Sequence, residues 1–400
     1  MIPAKPYLIA LIVFAALGFI FSGVSTYDFV AHLDRQVHSI TCSFIPGLGA
    51  ADASGASGCH TVMMSPYSSV FRTATWGGMP ISLPALGVFG YLLFLSVDLF
   101  VRREDEDPDQ MRYLVAAAAL PFLTSLIYLG ISSLVIKTVC KLCVGVYVSS
   151  TGAFVASILA WRMSLREREQ SPEIPWNRYG IYFAEGVLFV LVPMALYLLL
   201  KPGYTEAMSD CGTLNSAEDK YGVMITLNKS ATGLPSIELL DPLCPACRAF
   251  DQRLDASGLR EKLDLKAVLF PLDNKCNWMV PSALHPGACE VSEAVLCAAD
   301  DPKPVIAWAF ENQEELRELA TKDRGEVYKR IRAQFPKLAD CVGKPGVQAK
   351  LNRSLRWAVN NSLPVLTPQL YVNNKKLCDE DTDLGLEYSL TRLLEAQGAK

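Results

Sequence analysis

Charged residues are missing from long stretches of the first half of this chain. The sequence has 400 residues, and the middle three of its five apolar runs contain no Asp, Glu, Lys or Arg. The runs are Tyr7–Val24, Ile81–Val97, Tyr113–Ile136, Val144–Trp161 and Tyr179–Leu200. Each is close to the roughly 20 residues that cross the hydrocarbon core of a bilayer. This pattern disfavours a soluble first half, and we predict five membrane-spanning helices.

Basic stripes and histidine clusters are also lacking. The formal net charge is −4, and without a basic face we expect no nucleic-acid partner. Only four histidines occur, and His285 is the only one in the second half. A thiol-based copper carrier would need soft ligands clustered with histidine. We therefore predict no metal site.

The placement of arginine predicts how the chain crosses the membrane. The first apolar run follows only Lys5, as in a signal peptide, but no A-x-A site follows it, which favours an uncleaved anchor. Arginines concentrate in two connections between runs: Arg102, Arg103 and Arg112 in one, and Arg162, Arg166, Arg168 and Arg178 in the other. Because such connections stay in the cytoplasm, we predict a multi-pass inner-membrane protein whose residues after Leu200 lie outside the cytoplasm.

Cysteine is abundant, with twelve in the chain. An even and high number outside the cytoplasm is typical of disulfides. Two pairs form Cys-x-x-Cys motifs, Cys140/Cys143 at the start of an apolar run and Cys244/Cys247 in the polar half. Dithiols exchange electrons through mixed disulfides, so the two motifs together indicate thiol redox chemistry. Among the cysteines outside the redox pairs, we predict that Cys276 bonds to Cys289.

The second half alternates strands and helices. We predict strands over Tyr221–Leu227, Ser236–Leu240, Leu265–Pro271 and 367–372, and amphipathic helices between the last two strands. This order is that of an α/β domain. The predicted domains are a membrane domain over 1–161, a cytoplasmic linker with the fifth membrane helix over 162–205, and a domain outside the cytoplasm over 206–400.

Cys244-Pro245-Ala246-Cys247 is predicted to open a helix. Unpaired N–H groups and the positive end of the helix dipole there favour a thiolate, and Pro245 suits a first helical turn. A zinc site or a structural bridge are the alternatives. Zinc needs four ligands, and the nearby Cys and His residues form no second close pair.

These residues resemble the thioredoxin superfamily, and the helical block before Thr367-Pro368 resembles its DsbA-like branch. The resemblance covers about 210–398 of the chain. It implies that Cys244 is the nucleophile, that Cys247 resolves the mixed disulfide, and that Pro368 is a cis-proline facing them. Ala246 stands where a histidine is usual in that branch. We therefore expect Cys244 to be a weaker acid and the domain to be a milder oxidant.

The first half resembles the vitamin K epoxide reductase family over residues 5–161. The resemblance lies in the order of the four cysteines and in the stretches that contain them: Cys42, Cys59-His60-Thr61-Val62-Met63-Met64-Ser65, Gly78-Met79-Pro80, Gly87, Tyr91, Cys140-Lys141-Leu142-Cys143 and Tyr147. It implies a four-helix membrane bundle. Bacterial members with a fifth helix and a thioredoxin-like domain match the whole chain.

The resemblance also implies a role for each cysteine. Cys143 would face a quinone, and Cys140 would exchange electrons with Cys59. Cys42 would exchange electrons with the Cys244/Cys247 pair of the second half. Ser65 and Tyr147 match positions where the family places polar groups beside the quinone ring. The spacing between Cys42 and Cys59 is longer than the family's usual short loop.

The function that these resemblances imply is that of a quinone-dependent, DsbB-type thiol-disulfide oxidoreductase that drives disulfide formation in secreted proteins. Its expected partners are reduced secreted or periplasmic proteins, the lipid bilayer and a membrane quinone, ubiquinone or menaquinone. A disulfide isomerase or reductase system is the main alternative.

Overall fold

The structure is a computed structural model that describes residues 4–33, 58–102, 107–167, 174–201, 203, 211–298 and 300–398. Cys42, one of the predicted site residues, lies outside these described residues.

Five long apolar helices form the first half, as predicted. Their bounds are α1 Lys5–Leu33, α3 Ser82–Arg102, α4 Pro108–Gly130, α5 Lys141–Glu167 and α6 Trp176–Leu200. A π-helical turn, Ile131–Ile136, extends α4 toward the first Cys-x-x-Cys motif. All five are long and apolar enough to span a membrane. Helix α5 continues into the arginine-bearing segment that we had predicted to be linker, because the long side chains of Arg162 and Arg166 can extend away from the hydrocarbon.

Three short elements of the first half lie between α1 and α3 and were not predicted. They are the helix α2 Gly58–Met64 and the strands β1 Ser69–Val70 and β2 Met79–Pro80, which pair antiparallel. A helix of seven residues is too short to be stable by itself in water. Helix α2 therefore depends on the surfaces that it contacts.

The bundle is built from α1, α3, α4 and α5, and α6 packs outside it against α3. Gly87 of α3 permits this close approach, since a Cβ atom there would lie 2.6 Å from the carbonyl oxygen of Phe189. The Phe189 ring packs against Tyr91 and Phe94. The first half is thus a four-helix core with an added fifth helix, which is the predicted architecture.

The second half is a five-stranded sheet flanked by helices. Its strands are β3 Ile225–Asn228, β4 Leu234–Leu240, β5 Leu263–Leu269, β6 Gln369–Val372 and β7 Lys375–Lys376, in the spatial order β3-β5-β4-β6-β7. Only β4 and β5 run parallel, and the remaining pairs are antiparallel. The peptide bond between Thr367 and Pro368, just before β6, is cis.

Helices cover both faces of this sheet. They are α7 Pro245–Ala256, α8 Ala288–Cys297, α9 Lys303–Glu311, α10 Gln313–Lys322, α11 Arg324–Gln334, α12 Pro345–Asn360 and α13 Leu386–Ala396. Five of them, α8 to α12, lie between β5 and β6. The sheet order and the cis-proline are those of a thioredoxin-like domain, and the block between β5 and β6 is the predicted helical insertion.

Three disulfides are present among the described residues of the second half. They join Cys211 to Cys378, Cys276 to Cys289, and Cys297 to Cys341. The predicted Cys276–Cys289 pairing is confirmed. The bridge closes the loop before α8, with a sequence separation of 13.

Candidate active site

We call the described residues up to 201 the membrane half and those from 211 to 398 the soluble half. In the membrane half, the thiols of Cys59 and Cys140 meet where α2 begins. The Sγ atom of Cys140, just before α5, lies 2.9 Å from the Sγ atom of Cys59, and both side chains are buried. Cys59 is itself disulfide-bonded. Gly58 permits the contact, because a Cβ atom at that position would lie 2.6 Å from the carbonyl oxygen of Val139. The structure therefore brings together two of the predicted relay cysteines.

Cys143 faces a different environment from Cys140. It lines a cavity of about 420 Å³ inside the bundle, together with Tyr147 one turn further along α5. Most of the remaining lining is apolar and comes from α1, α3, α4 and the segment after α2. Both Cys140 and Cys143 are free thiols. Within the motif, Cys140 thus contacts Cys59, and Cys143 lines an apolar cavity.

Hydroxyl groups are interspersed in the apolar lining of this cavity. Ser65 lines it, and its hydroxyl donates to the carbonyl oxygen of Val62 at 2.7 Å. The hydroxyl of Ser22, also in the lining, is buried and has no hydrogen-bond partner among the described residues. An apolar cavity with an unsatisfied hydroxyl and a free thiol fits a flat, apolar ring that bears carbonyl acceptors. The predicted residues Ser65 and Tyr147 lie at this site.

The soluble dithiol lies at the start of α7. Cys244 is the N-cap residue and Pro245 is the first helical residue, where a missing N–H has no consequence. The Sγ atom of Cys244 is 3.5 Å from the carbonyl oxygen of Thr367, which precedes the cis-proline Pro368. Cys244 and Cys247 are both buried free thiols. The side-chain amide of Gln313 donates to the carbonyl of Cys244 at 2.9 Å and fixes the turn.

The electrostatics of this dithiol distinguish its two thiols. A hydrogen bond from Cys247 lowers the pKa of Cys244 to about 6, and His285 adds its charge, against the opposing effect of burial. Burial raises the pKa of Cys247. Cys244 is thus the more acidic thiol of the two.

His285 and Asp241 form a buried pair beside the dithiol that the sequence did not reveal. The Nδ1 atom of His285 lies 2.7 Å from Oδ2 of Asp241. The same carboxylate accepts from the N–H groups of Leu243 and Leu272. Asp241 raises the pKa of His285 despite its burial. The only signal in the sequence was the position of Asp241, three residues before Cys244.

Glu238 is a second buried group that sequence reasoning missed. It lies on β4, and burial, followed by the charges of Asp251 and Cys244, raises its pKa to about 8. Its Oε1 atom has no hydrogen-bond partner among the described residues. Strand β4 is buried continuously from Ser236 to Leu240, and this carboxyl therefore lies inside the domain.

The soluble dithiol faces the membrane half. Pro245, between the two cysteines, lines a crevice of about 30 Å³ with His60 and Thr138 of the membrane half. His60 is not a solvated loop residue, because it lies in α2 and lines this crevice under the second half. Burial lowers the pKa of His60 to about 4. The crevice brings the soluble motif to the helix that contains Cys59.

Residues 9–158, which contain the bundle, the cavity and the Cys140/Cys143 motif, match the sequence model of the vitamin K epoxide reductase family. Over these residues the chain is similar to the vitamin K epoxide reductase family. The match includes Cys59 and every residue of the cavity lining. No curated protein matches the chain.

The chain is also similar to a solved structure, the crystal structure of the oxidoreductase DsbA from Xylella fastidiosa. The identity is 21%, the similarity covers 42% of this chain and 88% of that chain, and the TM-score is 0.27. The thioredoxin-like fold of the second half is defined by its own sheet order and cis-proline.

Proposed function

We propose that this protein is a quinone-dependent thiol oxidase that forms disulfides in secreted proteins. One observation supports the proposal most strongly. Cys140 and Cys143, three residues apart, have different neighbours: Cys140 contacts the disulfide-bonded Cys59, and Cys143 lines the apolar cavity. A dithiol in this position can take electrons from one side and release them on the other.

Three exchanges would transfer the electrons. Two thiols of a substrate protein become a disulfide as the Cys244–Cys247 disulfide is reduced to a dithiol. Cys244 then attacks the disulfide between Cys42 and Cys59, and Cys247 resolves the mixed disulfide, so that the loop pair is reduced. The thiolate of Cys59 attacks Cys140 of a Cys140–Cys143 disulfide and Cys143 leaves as a thiol. Cys42 then attacks Cys59 and releases Cys140.

The cavity residues would bind the electron acceptor. A quinone held there supplies a two-electron acceptor for the dithiol of Cys140 and Cys143. Tyr147 and Ser65 would orient the ring, and the free hydroxyl of Ser22 is a donor for one of its carbonyls. The apolar lining would keep water from the thiols.

The same proposal includes the cellular location and the domain bounds. The two arginine-bearing connections lie together, since Arg178 is 3.6 Å from Asp107 and Arg112 donates to Tyr179. This supports a cytoplasmic position for that end and a position outside the cytoplasm for the soluble half. We propose the inner membrane as the location, reduced secreted proteins as substrates, and the domain bounds 1–161, 162–205 and 206–400.

Quinone reduction by the purified full-length protein tests the proposal. With a reduced protein as donor, one quinone should be reduced for every two thiols lost, and Cys143→Ser should abolish the reaction. Ser149→Ala is the control, because its hydroxyl donates within α5 and does not line the cavity. Thiol oxidation that continues in Cys143→Ser would refute the route. A potential of the soluble dithiol below that of glutathione would favour a reductase instead.

A further inference from the structure

Arg253 of α7 is buried completely where the soluble half meets the membrane half. Its Nε donates to the carbonyl oxygen of Met64 at 2.6 Å, and its Nη2 donates to the carbonyl oxygen of Ser65 at 3.2 Å and to the hydroxyl of Ser68 at 3.3 Å. Its Nη1 donates to Oε2 of Glu387 at 2.9 Å. One side chain of the soluble half therefore binds three neighbouring groups of the membrane half.

These acceptors lie at the carboxyl end of α2. The last carbonyls of a helix have no partner within it, and a cationic side chain there satisfies them and complements the helix dipole. Helix α2 has only seven residues, so its own hydrogen bonds do not sustain it. The hydrogen bond from Arg253 to the carbonyl oxygen of Met64 thus caps the last turn of α2.

Helix α2 has one face toward each half. Cys59 and Val62 pack on Cys140 and Leu142 in the membrane half. Met63 and Met64 pack with Leu384 and Ala249 of the soluble half, in a cluster that also contains Phe29 and Leu33 of α1. The helix is held between the two halves, and its position fixes the distance between the Sγ atoms of Cys59 and Cys140.

The charge of Arg253 is balanced by Glu387 of α13. That carboxylate is buried and also forms an ion pair with Arg72 of the membrane half at 2.9 Å. Two arginines, one from each half, thus share one buried acid. Because removal of one arginine leaves the other, the carboxylate keeps a partner in single variants, which limits the penalty for an unpaired buried charge.

We propose that Arg253 is a positioning residue for the exchange between Cys59 and Cys140, so that the docked soluble half sets the alignment of the two membrane-half thiols as well as donating electrons to them. The proposal rests on the relay of the proposed function. When the soluble half undocks, the cap on α2 is lost and Cys59 leaves its place beside Cys140. Electron transfer to the cavity dithiol is thereby confined to the docked state.

The test isolates this exchange in the full-length chain. In a background of Cys143→Ser, Cys244→Ser and Cys247→Ser, the thiolate of Cys140 attacks Cys59, forms the Cys140–Cys59 bond and releases the former partner of Cys59 as a thiolate. The exchange involves no net gain or loss of electrons by the chain. Electron donation by Cys244 and Cys247 therefore cannot affect its rate. The measurement is the rate of Cys140–Cys59 formation, read by mass spectrometry of unreduced digests.

Arg253→Met should slow this formation about tenfold or more, the size of effect expected from misplaced reacting atoms. Arg253→Lys should restore part of the rate, because a lysine can reach one of the carbonyls. Arg324→Met is the matched control, since Arg324 pairs with Asp273 and Glu290 inside the soluble half. A rate in Arg253→Met equal to that of the background chain would overturn the proposal.

Two further measurements separate positioning from a general loss of structure. In chains that keep Cys244 and Cys247, oxidation of a reduced peptide in a single turnover should stay within about twofold of the parent rate in Arg253→Met, because the dithiol is not displaced. A parallel loss of both rates would contradict positioning. The double variant Arg253→Met/Glu387→Met removes one positive and one negative charge. It should form the Cys140–Cys59 bond as slowly as Arg253→Met does. Bond formation at the rate of the background chain would also overturn the proposal.

Failure of the relay gives a different result. If the background chain with Arg253 intact forms no Cys140–Cys59 bond, the proposed order of cysteines is wrong, and the inference fails with it. If that chain forms the bond and Arg253→Met forms it equally fast, the relay stands and the inference alone is wrong.

Discussion

His285 lies against Asp241, with 2.7 Å between Nδ1 and Oδ2, in a buried position beside the thiol of Cys244. The motif itself has Ala246 where a DsbA-like motif has histidine. An imidazole from the loop before α8 thus supplies a charge that the motif lacks. The charged groups that act on it are Asp241 and Cys244, which raise its pKa, and Arg317, which opposes them.

We predict that His285→Gln raises the pKa of Cys244 above about 6, by roughly one unit, as expected when a nearby opposite charge is removed. Glutamine can still hydrogen-bond Asp241, so the change isolates the charge. Ultraviolet absorbance of the thiolate against pH measures it in the full-length protein. Leu284→Ala, at an exposed neighbour, is the control and should titrate as the parent does.

Glu238 should make the stability of the soluble half depend on pH. Its pKa is raised from 4.5 to about 8 in the folded state. The stabilisation is therefore complete below pH 4.5 and is lost as pH rises to about 8, at up to about 1.4 kcal/mol per pH unit. Glu238→Gln should remove this slope, and the exposed Glu395→Gln should keep it. The free energy of unfolding is measured at several pH values by denaturant unfolding followed by tryptophan fluorescence. If its slope against pH is the same in Glu238→Gln as in the parent, the prediction is wrong.

Two cysteine variants should trap different intermediates. Cys247→Ala removes the resolving thiol, so Cys244 should accumulate bound to the membrane half, at Cys42. Cys143→Ala should instead accumulate the Cys140–Cys59 bond, because these Sγ atoms are already 2.9 Å apart. Unreduced digests identify the joined cysteines. Cys244 found directly on Cys140 would mean that the loop pair is not an obligatory shuttle.

Ser22→Ala should weaken quinone use without affecting thiol exchange. The buried hydroxyl has no partner among the described residues, and a hydrogen bond to a bound carbonyl is worth about 1 kcal/mol. We expect KM for quinone to rise about fivefold with the Cys140–Cys59 exchange unchanged. Ser157→Ala, whose hydroxyl donates to Phe154, is the matched control. An unchanged KM would place the quinone away from Ser22.

Labelling of single added cysteines tests the orientation in the membrane. Arg166 and Lys220 are both exposed, near the end of α5 and in the soluble half respectively. In intact cells an impermeant maleimide should label Lys220→Cys and leave Arg166→Cys unlabelled until the cells are opened. The reverse pattern would invert the topology and place the soluble half in the cytoplasm.

The membrane helices and the soluble fold were predictable because their signals are local. An apolar run such as Tyr113–Ile136 has few stable alternatives in a bilayer. Alternation along Ser236–Leu240 and the Pro245 turn likewise fix a strand and a helix start over a few residues. The seven residues of α2 have no such signal, since only contacts with both halves keep them helical.

By itself the sequence determined the fold class, the two dithiols and the type of chemistry, because these depend on residue type and spacing along the chain. Tertiary structure alone decided which groups meet across large separations. The contact between Arg253 and Met64 spans 189 residues, and the pair of His285 and Asp241 spans 44. No periodicity encodes such contacts. They arise when buried donors and charges find their partners in the packed chain, because leaving them unpaired would cost more than ordering them.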